Sequence, residues 1–314
     1  MNNVYTLTLN SAIEEVIFAE GVDCSRPLRI KDSHEYLTGK AVNTGMVLSN
    51  LQIPCKMKIV CGTDTADCYR RLGNGFRKID VLPVVGVTRR NQTIVFDDGN
   101  EHKIINKGYM VTEEQVMRFY TQFKHEINEG DYLLVAGSLP DGISAEWYAK
   151  IIYEMRKTGV RVLFDAGKDV LDVGVTSSPY YIKPNEEEVK EVIPDFDFSK
   201  PRDQLRRLAL NFGIENVVVT MGCQGAVGYN SVTDECVRVS SFEGFPKRTV
   251  TTGCGDAFNA GFIYGKVTRC GFRQSLIYGI AFGGANIVAG FPEKVTMPII
   301  EARLQYVALE EVRG

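Results

Sequence analysis

The chain has 314 residues, of which 44% are hydrophobic and 24% charged, and its formal net charge is −3. This composition is typical of a globular domain with a large core, and the balanced charge excludes a basic field for nucleic acid. No apolar run reaches the roughly 18 residues that a membrane span needs.

The N-terminus and the cysteines favour a reducing compartment. Residues 4–9 have the pattern of a strand rather than of a signal peptide. The eight cysteines contain no CxxC pair and match neither a zinc site nor a small disulfide framework. We therefore predict a cytoplasmic protein with reduced thiols. The sequence leaves open whether two copies associate as a homodimer.

Short apolar strand segments alternate with helical segments along most of the chain. The predicted strands are 4–9, 56–60, 132–136, 160–165, 180–183 and 217–220. The predicted helices are 42–51, 112–128, 145–158, 187–193, 202–212 and 274–289. This alternation predicts an α/β fold, in one domain spanning 1–314, with a mainly parallel central sheet flanked by helices. Ligands of such sheets bind at the carboxyl ends of the strands.

Four extended segments interrupt this alternation. Segments 13–19 and 28–36 have polar alternation and no helix between them, and segments 92–97 and 102–106 flank the hairpin-turn signal DGN at 98–100. They predict a small antiparallel sheet inserted into the large domain, formed by about 12–36 and 88–107. Beside the ligand-binding edge, such a sheet would act as a lid.

Residues 251–262, TTGCGDAFNAGF, are the first candidate for a catalytic turn. Gly253 and Gly255 let the backbone approach a ligand closely, and the following small residues predict a helix that begins near Gly255. A helix start is positive and leaves N–H groups without partners, so the amides of Gly253, Cys254 and Gly255 suit a phosphoryl group. Asp256 would then take the proton of an attacking hydroxyl. The turn alone is read equally well as a tight turn capped by an aspartate.

Two further segments supply groups for an anionic ligand. Gly39 and Lys40 open a predicted helix, and Asn43 lies one turn further on the same side. Arg89 precedes a predicted strand on which it shares a face with Asn91, and an arginine can donate two hydrogen bonds to one phosphate. Taken alone, each of these residues also fits a solvated surface.

Three turns at predicted strand ends carry the remaining candidates: Ser138 in the first, Lys183, Asn185 and Glu188 in the second, and Thr220, Gly222 and Gly225 in the third. The first exposes backbone amides to a ligand, and the third would contact nucleotide phosphates or ribose. Asn185 and Glu188 would lie near a hydrated magnesium ion, with Glu188 acting through water, because hard cations prefer oxygen ligands. All these turns would converge on one edge of one sheet.

Four of these motifs together carry a family resemblance: TGCGDAFNAGF at 252–262, TRxN at 88–91, GSLP at 137–140 and KPNEEE at 183–188. Over 4–289 the chain resembles PfkB-type carbohydrate kinases of the ribokinase superfamily, most closely the 1-phosphofructokinase and tagatose-6-phosphate kinase branch. The resemblance implies a ribokinase-like fold that uses ATP and Mg²⁺. It also implies that Asp256 is the catalytic base, that the preceding amides form an anion hole, and that Asn286 lies near the adenine.

The sugar end departs from the family pattern. The branch usually begins Thr-Leu-Asn-Pro-Ala-hydrophobic-Asp, whereas this chain has TLNSAIE at 8–14. Glu14, which with Asn10 would hold sugar hydroxyls, is therefore one methylene longer than the usual aspartate. The usual Gly-Gly-Lys-Gly is TGKA at 38–41, so Thr38 and Ala41 replace two glycines. These changes leave the identity of the sugar open.

The whole pattern predicts an ATP-dependent kinase that phosphorylates a primary hydroxyl of a sugar phosphate, with Lys40, Arg89 and Asn43 gripping the sugar and its phosphate. A kinase of an unphosphorylated sugar or nucleoside is one alternative, which the two cations disfavour. A non-catalytic sugar- or nucleotide-binding protein on this fold is another, which the presence of Asp256 disfavours. A dinucleotide-binding oxidoreductase would need GxGxxG after its first strand, where this chain has LNSA.

Overall fold

The computed structural model describes residues 2–20, 27–241 and 249–312, without the side chains of 168 and 169. Its strands are β1 (Val4–Thr8), β2 (Ala12–Ala19), β3 (Ile30–Thr38), β4 (Cys55–Gly62), β5 (Arg77–Val84), β6 (Arg89–Phe96), β7 (Glu101–Ile104), β8 (Tyr132–Ala136), β9 (Arg161–Asp165), β10 (Tyr181–Ile182), β11 (Asn216–Thr220), β12 (Ala226–Asn230), β13 (Glu235–Ser241) and β14 (Val307–Glu311). Its helices are α1 (Lys40–Asn50), α2 (Ala66–Arg71), α3 (Glu113–Phe123), α4 (Ala145–Lys157), α5 (Lys168–Val175), α6 (Val189–Val192), α7 (Pro201–Phe212), α8 (Cys254–Val267), α9 (Phe272–Ala289) and α10 (Met297–Leu304).

The larger of two sheets confirms the predicted mainly parallel architecture. In the described part of the chain it has ten strands in the order β14-β13-β12-β11-β10-β9-β8-β1-β4-β5. All neighbours from β11 to β5 run parallel, and β12, β13 and β14 add antiparallel pairings at one edge. Parallel strands are covered on both faces, which explains why β1 and β8 are buried at every position.

Helices cover both faces of this sheet. Helices α3, α4, α5 and α7 share one core with the sheet, and α1, α8, α9 and α10 share the other. Helices α8 and α9 pack against each other at glycines: a Cβ on Gly261 would overlap the Tyr278 carbonyl oxygen, and one on Gly265 would lie 2.7 Å from the Ser275 Cα. The close crossing fixes α8, and with it the turn at its N-terminus, against α9.

The smaller sheet has the order β3-β2-β6-β7. Its outer pairs are antiparallel, as predicted, but β2 and β6 at its centre run parallel. The reason lies in the large sheet, where β1 and β5 end at the same edge. Strands β2 and β6 follow directly from those ends and therefore leave in the same direction. The predicted segment 12–36 includes residues 21–26, which lie outside the described residues.

Several elements are absent from the prediction: α2, α5, α10, β5 and β12–β14. Helix α2 has only six residues, too few to show a helical period. Strand β5 lies at the edge of the sheet, is only partly buried and contains a proline. None of the described helices combines the length and the apolar character that are needed to cross a lipid bilayer.

Candidate active site

The carboxyl ends of the parallel strands bring the predicted turns to one edge of the large sheet. Asn10 follows β1 and Ser138 follows β8, and the Asn10 side-chain amide donates to Ser138 Oγ and to the Leu139 carbonyl, both at 3.1 Å. The segments after β10 and β11 are also adjacent, because Asn185 and Thr220 pair as an isolated bridge. The convergence expected from the sequence is therefore present in the structure.

The glycine turn leads directly into α8, which begins at Cys254. Gly253 has φ 85°, in the left-handed region that favours glycine, and a Cβ there would lie 2.8 Å from Pro292 Cγ. The Cys254 amide donates to the Thr251 carbonyl at 3.2 Å, so it closes the turn instead of facing a ligand as predicted. In the described part of the chain, the amides of Gly253 and Gly255 donate to no protein atom. These two amides are therefore available to an anionic ligand.

Asp256 lies in the first turn of α8 and is 7% exposed. Its Oδ2 accepts a hydrogen bond from Asn43 Nδ2 at 2.7 Å, and Asn43 Oδ1 accepts one from Thr38 Oγ at 2.8 Å. Thr44 Oγ donates to the Asp256 carbonyl at 2.9 Å. Asn43, predicted to hold the sugar, therefore orients the carboxylate, and Thr38 fixes the amide of Asn43.

The carboxyl of Asp256 has a strongly raised pKa. The pKa of Asp256 is raised to about 7, and burial is the largest cause. The charge of Lys40 lowers this pKa, and the negative charge of Asp165 raises it. A general base works best when its pKa lies near the operating pH. The environment of Asp256 therefore suits proton transfer near neutral pH.

A second buried carboxylate, Asp165 at the end of β9, organises the cations of the site. Its Oδ1 pairs with Lys40 Nζ at 2.9 Å, and its Oδ2 pairs with Lys183 Nζ at 3.1 Å. Asn259 Nδ2 also donates to Oδ2, at 2.6 Å. Burial alone would raise the pKa of Asp165, but Lys183 and Lys40 outweigh it and hold that pKa well below its usual range. The prediction does not include Asp165 as a site residue, although it ends a predicted strand.

Lys40, predicted to grip the sugar phosphate, is paired with the buried Asp165 and lies near Asp256. Burial opposes its charge, but Asp165, followed by Glu188 and Asp256, raises the pKa of Lys40 above its usual value. The preceding Gly39 is required by packing, since a Cβ there would lie 2.6 Å from Thr8 Cγ2. The ammonium of Lys40 therefore stays charged beside both carboxylates.

Arg89 lies where the small sheet joins the large one. Its Nη2 donates to the Asn10 carbonyl at 3.0 Å, and its Nε is buried with no hydrogen-bond partner among the described residues. Burial lowers the pKa of Arg89. The neighbouring Arg90 points to the other face, where it is exposed and paired with Glu35. The predicted alternation along this strand is confirmed.

The inner face of the small sheet carries the other polar residues expected to contact the sugar. Glu14 is 5% exposed and accepts a hydrogen bond from Thr93 Oγ at 2.6 Å. Thr93 Oγ also lies 3.3 Å from Thr252 Oγ in the glycine turn. Asn91 is opposite Glu14 in the β-register, but its Oδ1 accepts the backbone amide of Asn106 at 3.2 Å. The prediction omits Thr93, whose hydroxyl joins the small sheet to the turn.

Asn185 and Glu188 form a reciprocal pair after β10. Asn185 Oδ1 accepts the amides of Glu187 and Glu188, both at 2.9 Å, and Glu188 Oε2 accepts the Asn185 amide at 3.0 Å. Glu188 is 9% exposed, and its charge helps to raise the pKa of Lys40, so it belongs to the same charged centre. Among the described residues, no three His, Cys, Asp or Glu side chains group closely enough to hold a metal ion directly.

The turn after β11 contains glycines with different roles. Gly225 has φ 94°, and a Cβ there would overlap the Val239 carbonyl oxygen, so packing against β13 requires it. Around Gly222 a Cβ would meet nothing within 4 Å. The Thr220 amide donates to the Pro184 carbonyl at 3.0 Å and ties this turn to the segment of Lys183. Gly222 thus has open space beside it, whereas packing against β13 requires Gly225.

Asn286, on α9, lies behind the glycine turn and is 0% exposed. Its Nδ2 donates to the Thr252 carbonyl at 3.0 Å and lies 3.5 Å from Cys254 Sγ. Its Oδ1 is buried without a hydrogen-bond partner in the described part of the chain. The structure therefore brings Asn286 to the turn, with its side chain buried behind Thr252 and Cys254.

Comparisons with known proteins place this chain in one family. Residues 8–289 match the pfkB family carbohydrate kinase model. The 1-phosphofructokinase of Vibrio cholerae is 27% identical over 325 residues, covering 99% of this chain and 98% of the relative. The D-tagatose-1-phosphate kinase of Klebsiella oxytoca is 30% identical over 227 residues, covering 70% and 73%. The chain also resembles the fold of phosphofructokinase-2 from Escherichia coli in complex with substrates and products, with TM-score 0.87, 20% identity and coverage of 97% and 99%.

The chain belongs to the pfkB family of carbohydrate kinases. The predicted ribokinase-like fold and the predicted ATP-dependent carbohydrate kinase activity are confirmed. The tagatose phosphate kinase among these relatives is named for tagatose 1-phosphate, whereas the sequence prediction named the 6-phosphate.

Proposed function

We propose that this enzyme transfers the γ-phosphoryl group of ATP to a primary hydroxyl of a ketohexose 1-phosphate, with fructose 1-phosphate as the first candidate. Two named relatives, a 1-phosphofructokinase and a D-tagatose-1-phosphate kinase, support the choice of substrate class. The observation in the structure that carries it is the buried Nε of Arg89, which has no partner among the described residues.

A phosphate on the sugar would complete the surroundings of Arg89. A buried N–H group without an acceptor is unfavourable, and a free sugar would bring no anionic acceptor to Arg89 Nε. A phosphate supplies several acceptor oxygens in a geometry that the guanidinium matches. Asn10 and Ser138, which bond to each other beside Arg89, would hold sugar hydroxyls, and Glu14 would do the same from the small sheet.

The chemical step is an in-line displacement. Asp256 removes the proton of the primary hydroxyl, whose oxygen forms a bond to the γ-phosphorus while the bond to the ADP oxygen breaks. Negative charge spreads over the transferring group, and the amides of Gly253 and Gly255 with the ammonium groups of Lys40 and Lys183 stabilise it. Because Asp165 holds both ammonium groups, they are positioned before the substrate binds.

Glu188 fits a role near magnesium. It is a buried carboxylate, and among the described residues only its Oε2 accepts a hydrogen bond. A hydrated Mg²⁺ prefers one or two carboxylates together with phosphate oxygens. When bound, the ion would neutralise charge on the phosphates of ATP. Asn185 would keep the Glu188 carboxylate in place through the reciprocal bonds described above.

The remaining residues divide between the nucleotide and the exclusion of water. Thr220 and the open Gly222 lie beside the segment of Lys183 and would contact the nucleotide phosphates or ribose. The small sheet would close over the sugar as a lid, which limits hydrolysis of ATP by water.

A panel of acceptors tests the proposal. Ketohexose 1-phosphates, hexose 6-phosphates, free hexoses, ribose and nucleosides are compared by kcat/KM with ATP. A ketohexose 1-phosphate should exceed every unphosphorylated acceptor by at least tenfold, or about 1.4 kcal/mol of transition-state stabilisation. A free sugar or a nucleoside that exceeds every sugar phosphate by tenfold would refute it.

Two adjacent arginines provide a matched pair of variants for this panel. Arg89→Met should raise the KM for the sugar phosphate at least about tenfold, the scale of a lost charge-assisted hydrogen bond, and change the KM for ATP little. Arg90→Met removes the neighbouring cation from the opposite face and should match the wild type. Equal losses for both substrates in Arg89→Met would remove Arg89 from the sugar-phosphate site.

A further inference from the structure

We propose that Asn286 is a positioning residue that aims the Gly253 amide at the transferring phosphoryl group. The inference rests on the proposed role of the glycine turn as the anion-binding element. It assigns to Asn286 a function other than contact with adenine.

The peptide between Thr252 and Gly253 determines where the Gly253 N–H points. The carbonyl of Thr252 and the N–H of Gly253 belong to the same trans peptide, so they point in opposite directions. Asn286 Nδ2 holds the Thr252 carbonyl at 3.0 Å from the buried side. The Gly253 N–H must then point away from Asn286, and in the described part of the chain no protein acceptor meets it.

This orientation needs an anchor because the residue after the peptide is a glycine. Gly253 has φ 85° and no Cβ, so rotation of the Thr252–Gly253 peptide meets little steric resistance on that side. Rotation by half a turn would replace the N–H with the carbonyl oxygen, whose partial negative charge repels a phosphoryl group. One side-chain hydrogen bond therefore decides whether the turn presents a donor or an acceptor to the substrate.

The anchor itself is rigid. Asn286 is 0% exposed on α9, and α9 packs against α8 through the glycine contacts at Gly261 and Gly265. Cys254 Sγ lies 3.5 Å from the same Nδ2, so both ends of the turn contact one amide group. Among the described residues Asn286 Oδ1 has no hydrogen-bond partner, so it is the Nδ2 end of the side chain that contacts the turn.

Two substitutions separate this role from a general packing role. Asn286→Leu keeps a similar volume and removes the donor, and Asn286→Asp keeps the shape and faces the Thr252 carbonyl with a carboxylate when ionised. Each should lower kcat by about 10²–10³, the scale of a lost oxyanion-type donor. The KM for ATP should change little. Ser275→Ala, a buried polar position near the other end of α9 whose hydroxyl bonds to Gly271, is the control and should match the wild type.

Binding of ADP with aluminium fluoride and the sugar phosphate provides a second readout, because this complex imitates the transferring phosphoryl group. Both Asn286 variants should bind it at least about 10²-fold more weakly than the wild type while binding ADP alone with unchanged affinity. Thermal unfolding shows whether each variant is folded. If one variant does not fold, the other decides the test.

Asp256→Asn is measured alongside and distinguishes the two proposals. If Asp256→Asn turns over like the wild type, the proposed catalytic site is wrong, whatever the Asn286 variants do. If Asp256→Asn is inactive and a folded Asn286 variant keeps both wild-type kcat and wild-type affinity for the aluminium fluoride complex, the inference about Asn286 is wrong. Equal losses of affinity for ADP and for the aluminium fluoride complex would also overturn it, since they indicate a contact with the nucleotide.

Discussion

Asp256→Asn should make the enzyme much slower and, at alkaline pH, more stable. The substitution removes the general base, and a loss of at least about a hundredfold in kcat is expected. The amide preserves the shape of the side chain, and its oxygen can still accept the Asn43 hydrogen bond. Folding nevertheless changes, because the wild-type carboxyl is buried and the variant has no charge to bury.

The magnitude follows from the pKa of Asp256 in the two states. The carboxyl titrates near 3.8 when unfolded and at about 7 when folded, so between these values the folded protein holds a proton that the unfolded chain has lost. Stability from this group is therefore fully present below about pH 4 and is lost as the pH rises through 7. The difference in pKa corresponds to a decrease of up to roughly 4 kcal/mol in the free energy of unfolding of the wild type. The Asn variant has no carboxyl at this position and should not show this decrease.

Urea unfolding at a series of pH values measures this effect. The free energy of unfolding of Asp256→Asn minus that of the wild type should grow by a few kcal/mol from pH 4 to pH 8. Asp67→Asn changes an exposed carboxylate on α2 and should show no such growth. A constant difference between Asp256→Asn and the wild type would refute the reasoning, because the pKa of Asp256 would then be the same in both states.

Two further predictions concern the charges around the turn. Lys40→Met should lower kcat by at least about a hundredfold. Because Lys40 lowers the pKa of Asp256, the variant should also need a higher pH than the wild type, whose midpoint is expected near 7, to reach half of its maximal kcat/KM. A pH–rate profile with an unchanged midpoint would contradict this. Glu101, on β7, accepts hydrogen bonds from the Thr251 amide and hydroxyl at 2.6 and 2.7 Å, so Glu101→Gln should loosen the small sheet from the turn. The ratio of ATP hydrolysed to sugar phosphorylated should rise about tenfold, the scale of a lost hydrogen bond to a charged group, while Glu35→Gln, which weakens only the exposed pair with Arg90, should leave the ratio unchanged.

The sequence predicts the large sheet and the glycine turn because both depend on local signals. Apolar strands followed by helices require parallel pairing, and the short segments after those strands must then meet at one edge. Alternation along β6 likewise assigns Arg89 to the inner face and Arg90 to the outer one. These inferences need only the order of the residues and the geometry of a strand or a helix start.

Partners that are distant in the chain are not predictable in the same way. Lys40 and Asp165 are separated by 125 positions, and Asn43 and Asp256 by 213. A lysine at a helix start has no local feature that tells whether it binds substrate or a buried carboxylate. The parallel pairing of β2 with β6 is similarly invisible, since it depends on where β1 and β5 end in the completed sheet.

The distribution of the proposed site over two sheets separates phosphoryl transfer from part of the sugar recognition. Asp256, which we propose as the proton acceptor, the amides of the glycine turn and the paired lysines all belong to the large sheet and to helices packed on it. Glu14 and Arg89 belong to strands of the small sheet, which contacts the turn through Thr93 and Glu101. Residues of β2 and β6 that face the proposed sugar site can therefore change during evolution without disturbing phosphoryl transfer. An engineer who wants a new acceptor should diversify these two strands and leave α8 and α9 untouched.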